Sequence, residues 1–127
     1  MVNFEMIGKT LTTGANQVYI TGFNRSNMAK VMNIISPDFV QFLPQAKELD
    51  LFQRSDNYSF FKQLNIPAQT LSSFDFQNYD YYHTPEDEAA KMDIENMTQI
   101  IRTAAFTLAK MLENTIEIKL IDTSSIR

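Results

Sequence analysis

The sequence contains no cysteine and no tryptophan, and its histidine count is one, His83. The absence of cysteine excludes disulfides and thiolate chemistry, and it leaves the redox compartment unmarked. Positive charge is also in short supply: eleven Lys and Arg stand against fifteen Asp and Glu, for a net charge of -4, and the basic residues are scattered. A nucleic-acid interface would need them gathered on one face. Long apolar runs are missing as well. A membrane-spanning helix needs roughly 20 consecutive apolar residues, and the N-terminus lacks the basic, apolar, small-residue order of a signal peptide. The expectation is a soluble chain with no membrane or nucleic-acid partner. No internal repeat, low-complexity tract or linker interrupts it.

What is present suits one folded domain over residues 1–127. Hydrophobic residues make up 44% and charged ones 20%, the composition of a globular protein rather than a disordered one. The length allows a real core but not two of them.

Val2, Phe4 and Met6 alternate with Asn3, Glu5 and Ile7, which predicts a strand ended by Gly8. The local pattern places Glu5 on a solvent face, because charged residues are mostly exposed. A second strand is expected over Gln17 to Phe23, with Val18, Ile20 and Gly22 opposite Tyr19, Thr21 and Phe23, and the two could pair as a hairpin. Ser26 then suits the N-cap of a helix carrying Met28, Val31, Met32 and Ile35 and ending near Ser36-Pro37. Between Asp38 and Asp50 only a short helical turn is expected, since Pro44 breaks any longer helix.

Ser55 or Asp56 suits the cap of a helix from about Tyr58 to Leu64, closed by Asn65. A strand over Ile66 to Phe74 comes next, with Pro67 at its start. Its end leads into the loop Phe74 to Asp87, and Asp93 suits the cap of the longest helix, running to about Glu113. Ile94, Met97, Ile101, Ala104, Leu108 and Met111 form its apolar stripe. Ile116, Ile118 and Leu120 alternate with Glu117 and Lys119 and allow a last short strand, after which the tail is expected to fray. Strands and helices alternate, so the expected architecture is α/β, a mixed sheet flanked by helices.

Sites in such sheets form in loops beyond the strand ends. Tyr79-Asp80-Tyr81-Tyr82-His83-Thr84-Pro85-Glu86-Asp87 is such a loop: it holds the single imidazole, the commonest metal-ligating side chain, behind three tyrosines. Glu5 would lie nearby if its strand ends at the same rim.

Three stretches, in order and spacing, carry a resemblance to a known family. They are Asn3-Phe4-Glu5-Met6-Ile7-Gly8; Ser55-Asp56-Asn57-Tyr58-Ser59-Phe60 with Asn65-Ile66-Pro67-Ala68; and Tyr82-His83-Thr84-Pro85-Glu86-Asp87. Together with the long helix beyond them, they resemble the C-terminal half of the zinc-dependent aminopeptidases and related exopeptidases, a family that includes the animal glutaminyl cyclases. The resemblance implies part of a three-layer fold, with Glu5 ligating one zinc and His83 the other. It further implies that Tyr82 lends its hydroxyl to a developing oxyanion and that Asp56 is a supporting acid behind the ligands or a cap. Asn57 stands where the family has His, and Asn65 where it often has Gly.

Only Met1 precedes the strand motif here. The family's first zinc-binding His, its bridging Asp and its Glu-Glu pair all lie upstream of that motif. A catalytic zinc takes about three protein ligands and a water, so the isolated chain is expected neither to hold a stable zinc pair nor to hydrolyse peptides. Within the family an aminopeptidase acting on peptides is the better match. Glutaminyl cyclases typically carry Trp before the last His, and this chain has none. A non-catalytic binding or assembly module is the other reading. Half of an α/β domain should expose apolar surface, so a homo-oligomer, or association with a missing N-terminal half, is expected. Family members are often exported, but no such signal is in this chain.

Overall fold

The computed structural model describes residues 1–121. Four strands, β1 (Val2–Phe4), β2 (Val18–Ile20), β3 (Val40–Gln41) and β4 (Gln69–Ser72), form one mixed sheet in the order β1-β4-β2-β3. Four helices, α1 (Met28–Ile35), α2 (Pro44–Glu48), α3 (Asn57–Leu64) and α4 (Ile94–Glu113), accompany it. The expected mixed α/β architecture is present. No helix among the described residues is long and apolar enough to cross a membrane.

The hairpin anticipated between β1 and β2 does not form. β4 lies between them, parallel to β1 and antiparallel to β2, while β2 runs parallel to β3. Two physical facts explain it. Residues 5–17 are far longer than a hairpin turn, and every residue of β4 is buried, so both of its backbone edges need partners. The strand β3 goes beyond the short helical turn expected for that region. The Asn33 side chain bonds both the N–H and the carbonyl of Val40 at 2.8 Å.

Side chains alternate across the sheet. Val18, Ile20 and Leu71 pack with Met28, Val31 and Met32 of α1 and with Ile100, Ala104 and Met111 of α4. Tyr19 faces the other way, packing with Leu11, Leu43, Ala46 and Leu51. Asn57, the first residue of α3, is fully buried.

Several boundaries differ from expectation. Ser26 does accept the Met28 N–H, at 3.0 Å. Pro44 begins α2 instead of breaking a helix, because the first helical position needs no N–H donor. Asp56 flanks α3 without a side-chain capping bond, and Asn65 closes that helix in the left-handed region, at φ 52°. The apolar stripe assigned to α4 is rotated. Its buried residues are Asn96, Ile100, Ala104, Thr107 and Met111, whereas Ile94 and Ile101 are 55% and 54% exposed. Hydrogen bonds turn the helix this way: Thr107 Oγ1 meets Ser36 Oγ at 2.7 Å, and Asn96 Oδ1 accepts the Asn16 N–H at 2.7 Å.

Asp93 does not cap α4 with its side chain. Its carboxylate accepts the Thr10 N–H at 2.8 Å and the Thr10 hydroxyl at 2.9 Å, and Lys9 Nζ lies 3.3 Å away. The Thr10 N–H is the chief reason its carboxyl is held below the usual range. Residues 116–120 form no strand; Leu120 makes a single bridge to Ser26. The tail beyond Ile121 lies outside the described residues.

Candidate metal-binding and catalytic site

Because β1 and β4 are parallel neighbours, their carboxyl ends open on the same edge of the sheet. Glu5 is the first residue beyond β1 (Val2–Phe4), and its N–H still reaches Leu71 O at 3.2 Å. Asn3 and Glu5 share a face, two residues apart: Asn3 Nδ2 donates to Glu5 Oε2 at 3.3 Å and to Thr70 Oγ1 at 3.1 Å. Ser55 Oγ donates to the other oxygen, Oε1, at 2.9 Å. Glu5 is thus half-buried and hydrogen-bonded through both oxygens, where the local pattern alone placed it on a solvent face. The side chain of the Ser55-Asp56 pair that bonds Glu5 is Ser55, while Asp56 is exposed.

β4 (Gln69–Ser72) delivers the chain to the same edge, where Ser73 N–H donates to Met6 O at 3.2 Å. A buried carboxylate, Asp75, organises the residues just beyond. Its Oδ1 accepts the N–H groups of Gln77 and Asn78 at 2.9 and 3.0 Å, closing a local turn. Its Oδ2 accepts the N–H and hydroxyl of Thr12 at 3.1 and 2.5 Å. Sequence reasoning missed Asp75. The Asp75-Phe76-Gln77-Asn78 turn was a legible signal, but its bond to Thr12 was not.

Downstream, aromatic rings stack toward His83. Tyr82 lies 5.0 Å from Phe74 and 5.5 Å from Phe76 between centroids, and stacks on the imidazole at 3.8 Å. His83 itself is exposed and sits in the left-handed region at φ 58°. Met6, Lys9, Phe74, Tyr82, His83 and Met92 help to line one cleft of about 250 Å³. At its side Gly8 approaches Met92 so closely that a Cβ there would lie 2.1 Å from the sulfur.

Tyr19 underlies this edge. Its hydroxyl donates to Phe74 O at 2.8 Å, and burial pushes its pKa up to about 12, with the charges of Glu5, Asp75 and Tyr82 adding smaller upward pushes. Raised from an ordinary 10.0, this phenol contributes stability that is complete below pH 10 and lost as pH rises toward 12. About 2 to 3 kcal/mol is at stake. Ultraviolet phenolate titration should show a late-ionising tyrosine that disappears in Tyr19→Phe, and a wild-type curve unchanged by that substitution would refute the assignment.

The zinc implied by the resemblance requires more donors than these. Glu5 and His83 are two candidate ligands, one for each metal, and among the described residues no group of three His, Asp or Glu side chains is placed to hold an ion. Glu5 is moreover already engaged by Ser55 and Asn3. The residues present therefore do not by themselves fit a catalytic zinc site, which takes about three protein ligands.

Neither a curated protein nor a solved structure matches the chain significantly. A family model does: the one described as Peptidase family M28 matches residues 1–108, most of the chain and all three motifs. Members of that family are in general zinc-dependent metallopeptidases. From β1, just before Glu5, into the long helix after His83, this chain belongs to peptidase family M28.

Proposed function

We propose that this chain contributes one wall of an aminopeptidase-type site that removes N-terminal residues from peptides. In this reading Glu5 and His83 each donate one ligand to a two-zinc centre. The remaining ligands come from polypeptide outside these residues. Tyr82 hydrogen-bonds the oxyanion that develops on the scissile carbonyl. Asp56 keeps an auxiliary place beside Ser55, which orients the Glu5 carboxylate.

The observation that supports this reading is the parallel pairing of β1 with β4. It sends Glu5 and the loop bearing Tyr82 and His83 off the same edge, and Met6 and His83 line a common cleft. Cleft and carboxylate are adjacent through one peptide bond.

By itself the chain is expected to bind no stoichiometric zinc pair and to show no zinc-dependent release of amino acid from an aminoacyl anilide. Elemental analysis after dialysis and a chromogenic assay check this, and zinc-dependent turnover by the pure chain would overturn it. In an active assembly containing this chain, Glu5→Gln and His83→Ala should each abolish turnover. Tyr82→Phe should lower kcat by about 10²-fold or more with KM little changed. Full activity of His83→Ala would remove the basis for the assignment and favour a binding module.

A further inference from the structure

The sheet reverses direction between β4 and β2, so it has a second edge onto which parallel strands open. β2 and β3 are parallel neighbours, and the residues just beyond each of them line a cleft of about 270 Å³. This is the position, past the carboxyl ends of parallel strands, where α/β sheets bind ligands. It lies at the opposite end of the sheet from Glu5 and His83.

From β2 the chain passes through Gly22 and the short 3-10 turn Phe23–Arg25. Gly22 is left-handed at φ 63°, and a Cβ there would come within 2.6 Å of the Phe52 ring. The Arg25 guanidinium lies over that ring, 4.2 Å from its centroid, and 5.5 Å from the centroid of Phe61. Phe23 and Phe42 meet edge to face at 5.5 Å, and Phe42, although 48% exposed, is part of the cleft. Arg25, Lys47 and Asp50 are the charged lining residues.

Among the described residues the ion pairs are Lys9 with Asp93, Lys110 with Glu113, and Lys119 with Glu117. Among those residues, therefore, Arg25 and Lys47 have no carboxylate partner, and no hydrogen bond engages either side chain. The lining carries two cations and one anion. A stacked guanidinium keeps its planar fork of donors in place, and that fork matches a carboxylate in both geometry and charge.

We infer that this cleft is a binding site for a small molecule with one carboxylate and a compact apolar body. The carboxylate pairs with Arg25 and Lys47, and the body packs against Phe23, Phe42 and Phe52. Asp50 disfavours a second negative charge and accepts from an ammonium group if the ligand has one. The class therefore spans simple aryl- or alkyl-carboxylates and apolar amino acids.

Amide chemical-shift titration of the whole chain tests the assignment with three probes: 3-phenylpropionate, phenylalanine and the neutral 3-phenylpropanol. Saturable shifts at Gly22, Asn24, Phe42 and Lys47 are expected with the two carboxylates and not with the alcohol. Tighter binding of phenylalanine than of phenylpropionate would identify amino acids as the natural source, and the reverse order a simple carboxylate. Arg25→Gln should weaken binding at least about tenfold, with Arg25→Lys intermediate. Lys47→Glu, at an exposed position, should weaken it without touching the core, so the test stands even if Arg25→Gln fails to fold. Equal affinity for the alcohol, no saturable shifts in the wild type, or undiminished binding by Lys47→Glu would overturn the inference.

Discussion

Replacing Asp75 with alanine is expected to lower stability by about 3 to 5 kcal/mol, because it strips four donors of one buried acceptor. The residue is 2% exposed. Its carboxylate accepts the N–H groups of Gln77 and Asn78 and both the N–H and hydroxyl of Thr12. Water cannot replace it without opening the turn. A native domain has only about 5 to 15 kcal/mol in total, so the loss should appear as a lower denaturant midpoint and a melting temperature reduced by roughly 10 °C or more.

Asp75→Asn separates the two roles of this side chain. Its single oxygen can still close the turn on Gln77 and Asn78, while its amide would face the Thr12 N–H. About half the loss is therefore expected. The effect should reach His83, because Phe74 and Phe76, on either side of Asp75, support the Tyr82 ring. In Asp75→Ala the imidazole resonances should move and broaden even below the unfolding transition. A variant as stable as wild type would show that the turn is held by something other than this carboxylate.

The second large effect is expected at Asn57, which is 0% exposed. Its amide donates to Phe52 O at 3.2 Å and to Ala68 O at 3.1 Å, and its oxygen accepts from Thr70 Oγ1 at 2.7 Å. One side chain thus joins the segment before α3, the entrance to β4 and the centre of β4. Alanine takes the Asn57 donors from two buried carbonyls and leaves the Thr70 hydroxyl with no acceptor for its proton, at a cost of about 2 to 4 kcal/mol. Aspartate should be worse than alanine, since it would point a buried carboxylate at two carbonyl oxygens. Equilibrium denaturation should give the order wild type, Asn57→Ala, Asn57→Asp, with the slope unchanged for alanine. The reverse order would show that Asn57 is reached by water.

This position bears on the site as well. Thr70, which Asn57 holds, also accepts from Asn3, and Asn3 in turn bonds Glu5. A chain of four side chains therefore runs from the core to the proposed ligand. At residue 57, where the resemblance implies a His, the Asn side chain is held by these core hydrogen bonds.

Local chemistry settled much of this protein from the sequence alone. The periodicity of residues 28–35 and 94–113, the left-handed Asn65 and the alternation of Val18, Tyr19 and Ile20 are properties of neighbouring residues, and each is legible along the chain. The three motifs point to the family for the same reason, since each is a contiguous string. Tertiary structure decided everything that depends on partners far apart in sequence. Strand order came from the burial of β4 on both faces, which no local pattern of Gln69-Thr70-Leu71-Ser72 reveals. The rotation of α4 came from Ser36 and Asn16, remote residues that draw Thr107 and Asn96 inward. Glu5 reads locally as solvent-facing because Ser55 is fifty residues away, and Asp75 reads as an ordinary turn residue because Thr12 is sixty-three residues away. A buried polar group takes its meaning from its partner, and only the folded chain brings the two together.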